Sequence, residues 1–165
     1  ADLDHNPYKK AFAIKTDKRT LKDAMVGADV FIGVSGANLL APELLASMAP
    51  NPIVFALSNP EPEIMPQLAK EVRSDLIMAT GRSDFPNQVN NLLAFPGLFR
   101  GALDAKATKI CEEVKMAASY AIADLIKEEE LNQDYVIASV FDERVVANVS
   151  EKVKEACIKT GNIRR

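Results

Sequence analysis

The sequence predicts an α/β protein: a Rossmann-like parallel sheet with flanking helices, followed by a helical C-terminal part. Three observations predict it. Short continuous apolar runs recur at 30–34, 53–57 and 76–80, each of strand length and each followed by small or polar turn residues. The segments between them carry helix start signals and apolar residues at three- and four-residue spacing. From Pro96 onward the period is helical. Strands alternating with helices make a parallel sheet, with right-handed crossovers as the rule.

Thr20, followed three residues later by Asp23, has the form of a capping box, and the turns after it place Leu21, Ala24, Met25 and Ala28 near one face. The first buried-strand run is 30–34. Pro42 suits the first turn of a helix carrying Leu44, Leu45 and Met48. The second strand run is 53–57, the next helix spans 65–73, and the third strand run is 76–80. Pro96 suits the first position of a helix over 96–105, and a further helix carries Ile110, Val114, Ala117, Ala121 and Leu125. These later helices are expected to cover the sheet. One additional strand is a candidate at 135–140. Asp142 caps a last helix with Val146, Val149, Val153 and Ala156 on one stripe, ending near Gly161.

A chain of 165 residues suggests one domain, 1–165, divided into strand/helix alternation over 1–95 and a mainly helical part over 96–165. With 48% apolar and 26% charged residues and a net charge of −3, it has no basic footprint for nucleic acid. No apolar run is long enough for a membrane span, and the start, ADLDHNPYKK, has no apolar signal core. It does not begin with Met, so a processed or shortened chain is expected. Cys111 and Cys157 lack metal-ligand spacing and read as thiols of a reducing compartment, with cytoplasm as the expected location.

Two of the strand runs close on asparagine-bearing turns, Ser58-Asn59-Pro60 and the stretch from Gly81 to Asn91. In open α/β sheets ligands bind at the C-terminal edge of the strands, so these turns mark a small-molecule site. Asn59 precedes a proline, which biases it to extended backbone and offers its amide at the strand end; an Asx-type turn is the alternative. Asn90 and Asn91 lie between Val89 and Leu92, so at least one amide should approach the apolar interior and need a partner. That partner is a ligand, backbone or water. Gly33-Val34-Ser35-Gly36 permits close backbone approach to a ligand, with Gly36 free to take positive φ; simple turn glycines are the alternative. Arg82 and Asp84 read as an exposed ion pair, Arg100 as solvated or structural, and His5 as an exposed terminal residue.

These residues also carry a resemblance. VFALSNP at 54–60, ATGRSDFPNQVNN at 79–91, FPGLFRGAL at 95–103 and GADVFIGVS at 27–35 resemble the C-terminal NAD(P)-binding region of the malic enzymes, bacterial type. Malic enzymes oxidatively decarboxylate malate to pyruvate and CO2 with NAD or NADP and a divalent metal, Mg or Mn. The resemblance implies cofactor contacts from Gly33, Val34, Ser35, Gly36, Asn59 and Asn90, and substrate contacts from Asn59 and Asn91. It implies no catalytic residue and no metal ligand in this chain. The family's tyrosine and lysine, its acidic metal ligands and its glycine-rich pyrophosphate turn come from upstream segments, and no G-x-G-x-x-G occurs here. The sheet is therefore expected to lack its first βαβ unit, leaving an open edge for an N-terminal catalytic portion, another chain or a homo-oligomer. Alone, the chain is expected to be inactive. The alternative is a non-catalytic nucleotide-binding or assembly module of the same fold. An amino-acid dehydrogenase half fits less well, because of Ser58-Asn59-Pro60 together with Asn90-Asn91.

Overall fold

The computed structural model describes residues 6–164; His5 lies outside them. The element order is α1 (Pro7–Lys10), α2 (Leu21–Met25), β1 (Val30–Gly33), α3 (Pro42–Ala46), β2 (Ile53–Ala56), α4 (Pro66–Val72), β3 (Ile77–Thr80), α5 (Phe95–Asp104), α6 (Glu112–Ala123) and α7 (Glu143–Lys159). Short 3-10 turns occur at Asn91–Leu93 and Glu128–Glu130. The strands form one parallel sheet in the order β1-β2-β3, with Val30 opposite Ile53 and Ile53 opposite Ile77. Among the described residues β1 is therefore an edge strand.

Local chemistry sets the helix starts. The Asp23 N–H donates to Thr20 Oγ1 at 3.2 Å and the Thr20 N–H donates to Asp23 Oδ2 at 2.9 Å, so the expected capping box forms. The Arg19 N–H, which donates to Asp23 Oδ2 at 3.0 Å, holds the Asp23 carboxyl below its usual range together with the Thr20 hydroxyl and N–H. Prolines stand in the first turns of α3, α4 and α5, where a missing N–H leaves no intrahelical bond unmade. Asp142 caps α7 by accepting from the Arg144 N–H at 2.9 Å.

Two apolar cores result. Met25, Leu45 and Ala69 from α2, α3 and α4 pack on one face of the sheet against Phe31, Val54, Ala56 and Met78. The second core joins α5, α6 and α7 through Leu98, Ala102, Val114, Ala118, Val149 and Val153. The expectation that the later helices cover the sheet is corrected here: they spend their apolar faces on one another, and Val30 and Ile32 remain 48% and 63% exposed. The reason lies in α5, whose Gly97 and Gly101 let α7 approach so closely that a Cβ on Gly97 would fall 2.6 Å from Val149 Cβ. The α7 stripe also differs from the expected one. Val145, Val149, Val153 and Cys157 are buried, a strict four-residue row, whereas Val146 is exposed. Burial pushes the Cys157 thiol up.

The candidate strand at 135–140 does not form. Its start is tied instead by a side chain: Asn87 Oδ1 accepts the Val136 N–H at 2.8 Å, and only an isolated bridge, Asn132 to Tyr135, appears nearby. At the N-terminal edge of the sheet, Arg73 donates to the Leu45, Met48 and Ala49 carbonyls at 3.2, 3.3 and 3.0 Å. It also donates to both oxygens of Asp75 at 2.7 Å, and Asp75 accepts the Asn51 N–H. This cluster satisfies the exposed carbonyls at the end of α3 and locks α3, β2 and β3 together at the edge opposite the candidate site.

Candidate functional site

Gly33, Ala56 and Thr80 stand in register across the sheet and end the three strands in one row. Three loops therefore leave the same edge, the C-terminal one, where the ladder stops and backbone groups become available to a ligand. The third loop is folded back on its strand. The Val89 N–H donates to Thr80 O at 2.8 Å, and the Arg82 N–H donates to the buried Thr80 hydroxyl at 3.2 Å. Asn90 completes it: Nδ2 donates to Gly81 O at 3.1 Å, and Oδ1 accepts the Leu92 N–H at 3.0 Å, capping the 3-10 turn. This uses one donor and one acceptor position of the amide and leaves one N–H and one lone pair for a ligand.

The loops border an open cleft of about 810 Å³, whose lining includes Asn59, Gly81, Arg82, Asn90, Pro96 and Phe141. Such a volume suits a small-molecule or cofactor fragment. Asn59, joined to Pro60 by a cis peptide bond, presents an exposed side chain at the β2 end. Arg82 grips Asp84 in a two-point ion pair at 2.9 and 2.7 Å and lies 5.4 Å from the Phe85 ring centroid. The guanidinium holds the Asp84 carboxyl below the usual range. As expected, this is an exposed pair. Arg100 is likewise exposed and engaged with Asp104, at 2.9 Å.

The structure brings Asn59 and Asn90 together in the cleft wall and does not bring every predicted residue there. Asn91 occupies the first position of the 3-10 turn with its side chain exposed. Gly33, Val34, Ser35 and Gly36 lie at the neighbouring strand end: Gly33 is buried, while Val34 and Ser35 are exposed. Gly36, though free to do so, does not take a positive φ. The left-handed residue of that loop is Asn38, at φ 57°, a conformation asparagine adopts more readily than most residues.

Two further residues organise the edge and were not singled out from the sequence. Glu63 is fully buried, and its carboxylate accepts the Ser35 N–H at 2.9 Å and the Ser58 N–H at 3.1 Å. Asn87 is 5% exposed and donates to Met78 O and Gln133 O at 3.0 and 2.8 Å. A charged residue in a proline-rich turn reads as solvated, so Glu63 carries no local signal beyond its place next to the buried Pro62 and Ile64. Among the described residues, no three His, Cys, Asp or Glu side chains gather as a metal site, and no helix is long and apolar enough to cross a membrane.

An open parallel sheet with a cleft at its strand C-termini defines the class: an α/β protein of Rossmann type with its cleft at the edge where such sheets bind ligands. Comparison with known proteins narrows it. The sequence family described as malic enzyme, NAD binding domain, matches residues 3–161. The NADP-dependent malic enzyme of Halomonas elongata is 51% identical over 98% of this chain and 42% of its own length. The bifunctional malic/malolactic enzyme of Bacillus subtilis is 58% identical over 86% of this chain and 34% of its own. Among solved structures, malic enzyme from Pyrococcus horikoshii superposes with a TM-score of 0.86 at 39% identity, covering 99% of this chain and 39% of that one. NAD-dependent malic enzyme from Thermotoga maritima gives 0.75 at 48% identity, covering 81% and 34%. The chain belongs to the malic enzyme NAD-binding domain family. It spans less than half the length of these relatives.

Proposed function

We propose that this chain, 1–165, is the coenzyme- and substrate-contacting C-terminal part of an NAD(P)-dependent malic enzyme, which converts malate to pyruvate and CO2. The observation that carries the proposal is the cleft itself, where the Asn59 and Asn90 amides face one space at the C-terminal edge of the sheet. A primary amide both donates and accepts, which suits the nicotinamide carboxamide, ribose hydroxyls and the hydroxyl or carboxylate of a 2-hydroxy acid. In this reading Gly33, Val34, Ser35, Gly36, Asn59 and Asn90 contact the coenzyme, and Asn59 and Asn91 contact malate.

A bound nicotinamide supplies the hydride acceptor. This chain's residues bind, orient and close the site, and proton transfer falls to groups elsewhere in the protein. The described residues do not fit a Mg or Mn site, since no acidic cluster forms, so the metal ligands are assigned to the remaining portion. That portion, or another copy of the chain, is the partner proposed for the exposed β1 edge, and the cytoplasm is the proposed location.

Complementation tests the division of labour. The 165-residue chain with Mg or Mn should give no malate-dependent NADH or NADPH, and adding the remaining portion should restore it. Turnover by the chain alone would contradict the assignment of proton transfer and metal to other segments. Continued inactivity after addition of a folded remaining portion would favour a non-catalytic binding module.

A further inference from the structure

Glu63 is a fully buried ionisable group at the strand edge that the proposed chemistry does not use, and its partners come from two different loops. Oε1 receives the Ser35 N–H at 2.9 Å, just beyond β1, and stands 3.5 Å from the Ser35 hydroxyl. Oε2 receives the Ser58 N–H at 3.1 Å, just beyond β2 and adjacent to Asn59. The backbone around Glu63 continues the same attachment. The Asn38 N–H donates to Pro62 O at 3.1 Å and the Leu40 N–H donates to Glu63 O at 2.9 Å, so the whole loop after β1 is laced to the 58–63 turn.

Space has been kept for this carboxylate. A Cβ on Gly33 would lie 2.5 Å from Glu63 Oε1 and 2.8 Å from Oε2, so only glycine at the end of β1 lets the group sit there. A carboxylate is costly to bury unless it is hydrogen-bonded, as this one is at both oxygens. What the charge adds is strength and direction: two charge-assisted bonds fix two peptide planes at once.

We propose that Glu63 is a positioning residue, a carboxylate clamp that sets the Ser35 and Ser58-Asn59 backbone in the geometry the nicotinamide coenzyme requires. This inference rests on the coenzyme reading of the site. It also gives Gly33 a role distinct from ligand contact, which is to admit the clamp.

The test uses the full-length protein and two variants. Glu63→Gln keeps the shape but turns an amide N–H toward one of the two backbone donors; Gly33→Ala keeps the charge and displaces it. Coenzyme affinity is read from the fluorescence of bound NADH or NADPH, loop order from hydrogen–deuterium exchange of peptides covering Ser35 and Ser58, and folding from the melting curve. Both variants, assayed below their melting transitions, should bind the coenzyme about tenfold more weakly, the scale of one lost charge-assisted bond. Exchange should rise at both loops and stay unchanged over β3. Two results would each overturn the clamp: Glu63→Gln binding as tightly as the parent, or exchange at both loops equal to the parent. A parent protein that binds neither coenzyme would sink the reading of the site instead. Exchange alone would then decide whether Glu63 holds the two loops, with unchanged exchange rejecting it.

Discussion

The Asn87 side chain stitches β3 to a loop nearly fifty residues further on, accepting the Val136 N–H at 2.8 Å while its own amide donates to Met78 O and Gln133 O. Three backbone groups depend on one buried amide, which itself sits at φ 55°. Asn87→Ala leaves those groups without their partner and places alanine in a left-handed conformation, so it should cost about 3 kcal/mol in urea unfolding. Asn87→Asp should be at least as damaging, because it sets an oxygen against two carbonyls. A loss under about 0.5 kcal/mol in both variants would show that water replaces the amide.

Gly101 decides how closely α5 and α7 approach. A Cβ there would overlap the Ser150 carbonyl and sit 2.8 Å from Val153 Cβ, and a carbonyl on a helix backbone cannot swing aside. Gly101→Ala should therefore destabilise by about 3 kcal/mol despite the better helix propensity of alanine. A thermal midpoint equal to the parent's would mean that the two helices slide apart without loss.

The Arg73–Asp75 pair gives a pH dependence with a definite sign. Hydrogen bonds from Arg73 and from the Asn51 N–H hold the Asp75 carboxyl well below its usual range. A depressed folded-state pKa stabilises the fold above the unfolded value of about 3.9 and loses that contribution as pH falls through the folded value. The parent should thus lose stability as pH drops below about 4. Asp75→Asn should be less stable at neutral pH and show a shallower fall below about 4; parallel curves for the two proteins would contradict the assignment.

The sheet was legible in the sequence because buried parallel strands are short continuous apolar runs. The three runs at 30–34, 53–57 and 76–80 became β1, β2 and β3 with ends shifted by one residue. The capping box at Thr20 and the helix prolines were legible because they act through neighbours in the chain. The site was legible in part. The turn asparagines do stand at the C-terminal edge of the sheet, but the interior amide proved to be Asn87 rather than Asn90 or Asn91, since burial there is set by the distant 132–136 loop. Glu63 was hidden for the same reason: its partners at Ser35 and Ser58 meet only once the strands align. Which face α7 buries, and the failure of 135–140 to form a strand, likewise depend on contacts far along the chain.

Asn59 is the residue on which function and folding should separate most cleanly. Its exposed side chain has no structural duty like those of Asn87 and Asn90, so Asn59→Ala should leave the melting curve within about 1 °C of the parent's, as for most exposed substitutions. The decisive measurement is malate-dependent formation of NADH or NADPH by the full-length protein with Mg or Mn, run side by side for the parent and Asn59→Ala. The account predicts turnover by the parent and a loss of at least about tenfold in the variant at unchanged stability, the scale of one hydrogen bond to a charged or reacting group. No malate-dependent turnover by the folded full-length protein, or a variant as active as the parent, would contradict the assignment of this cleft.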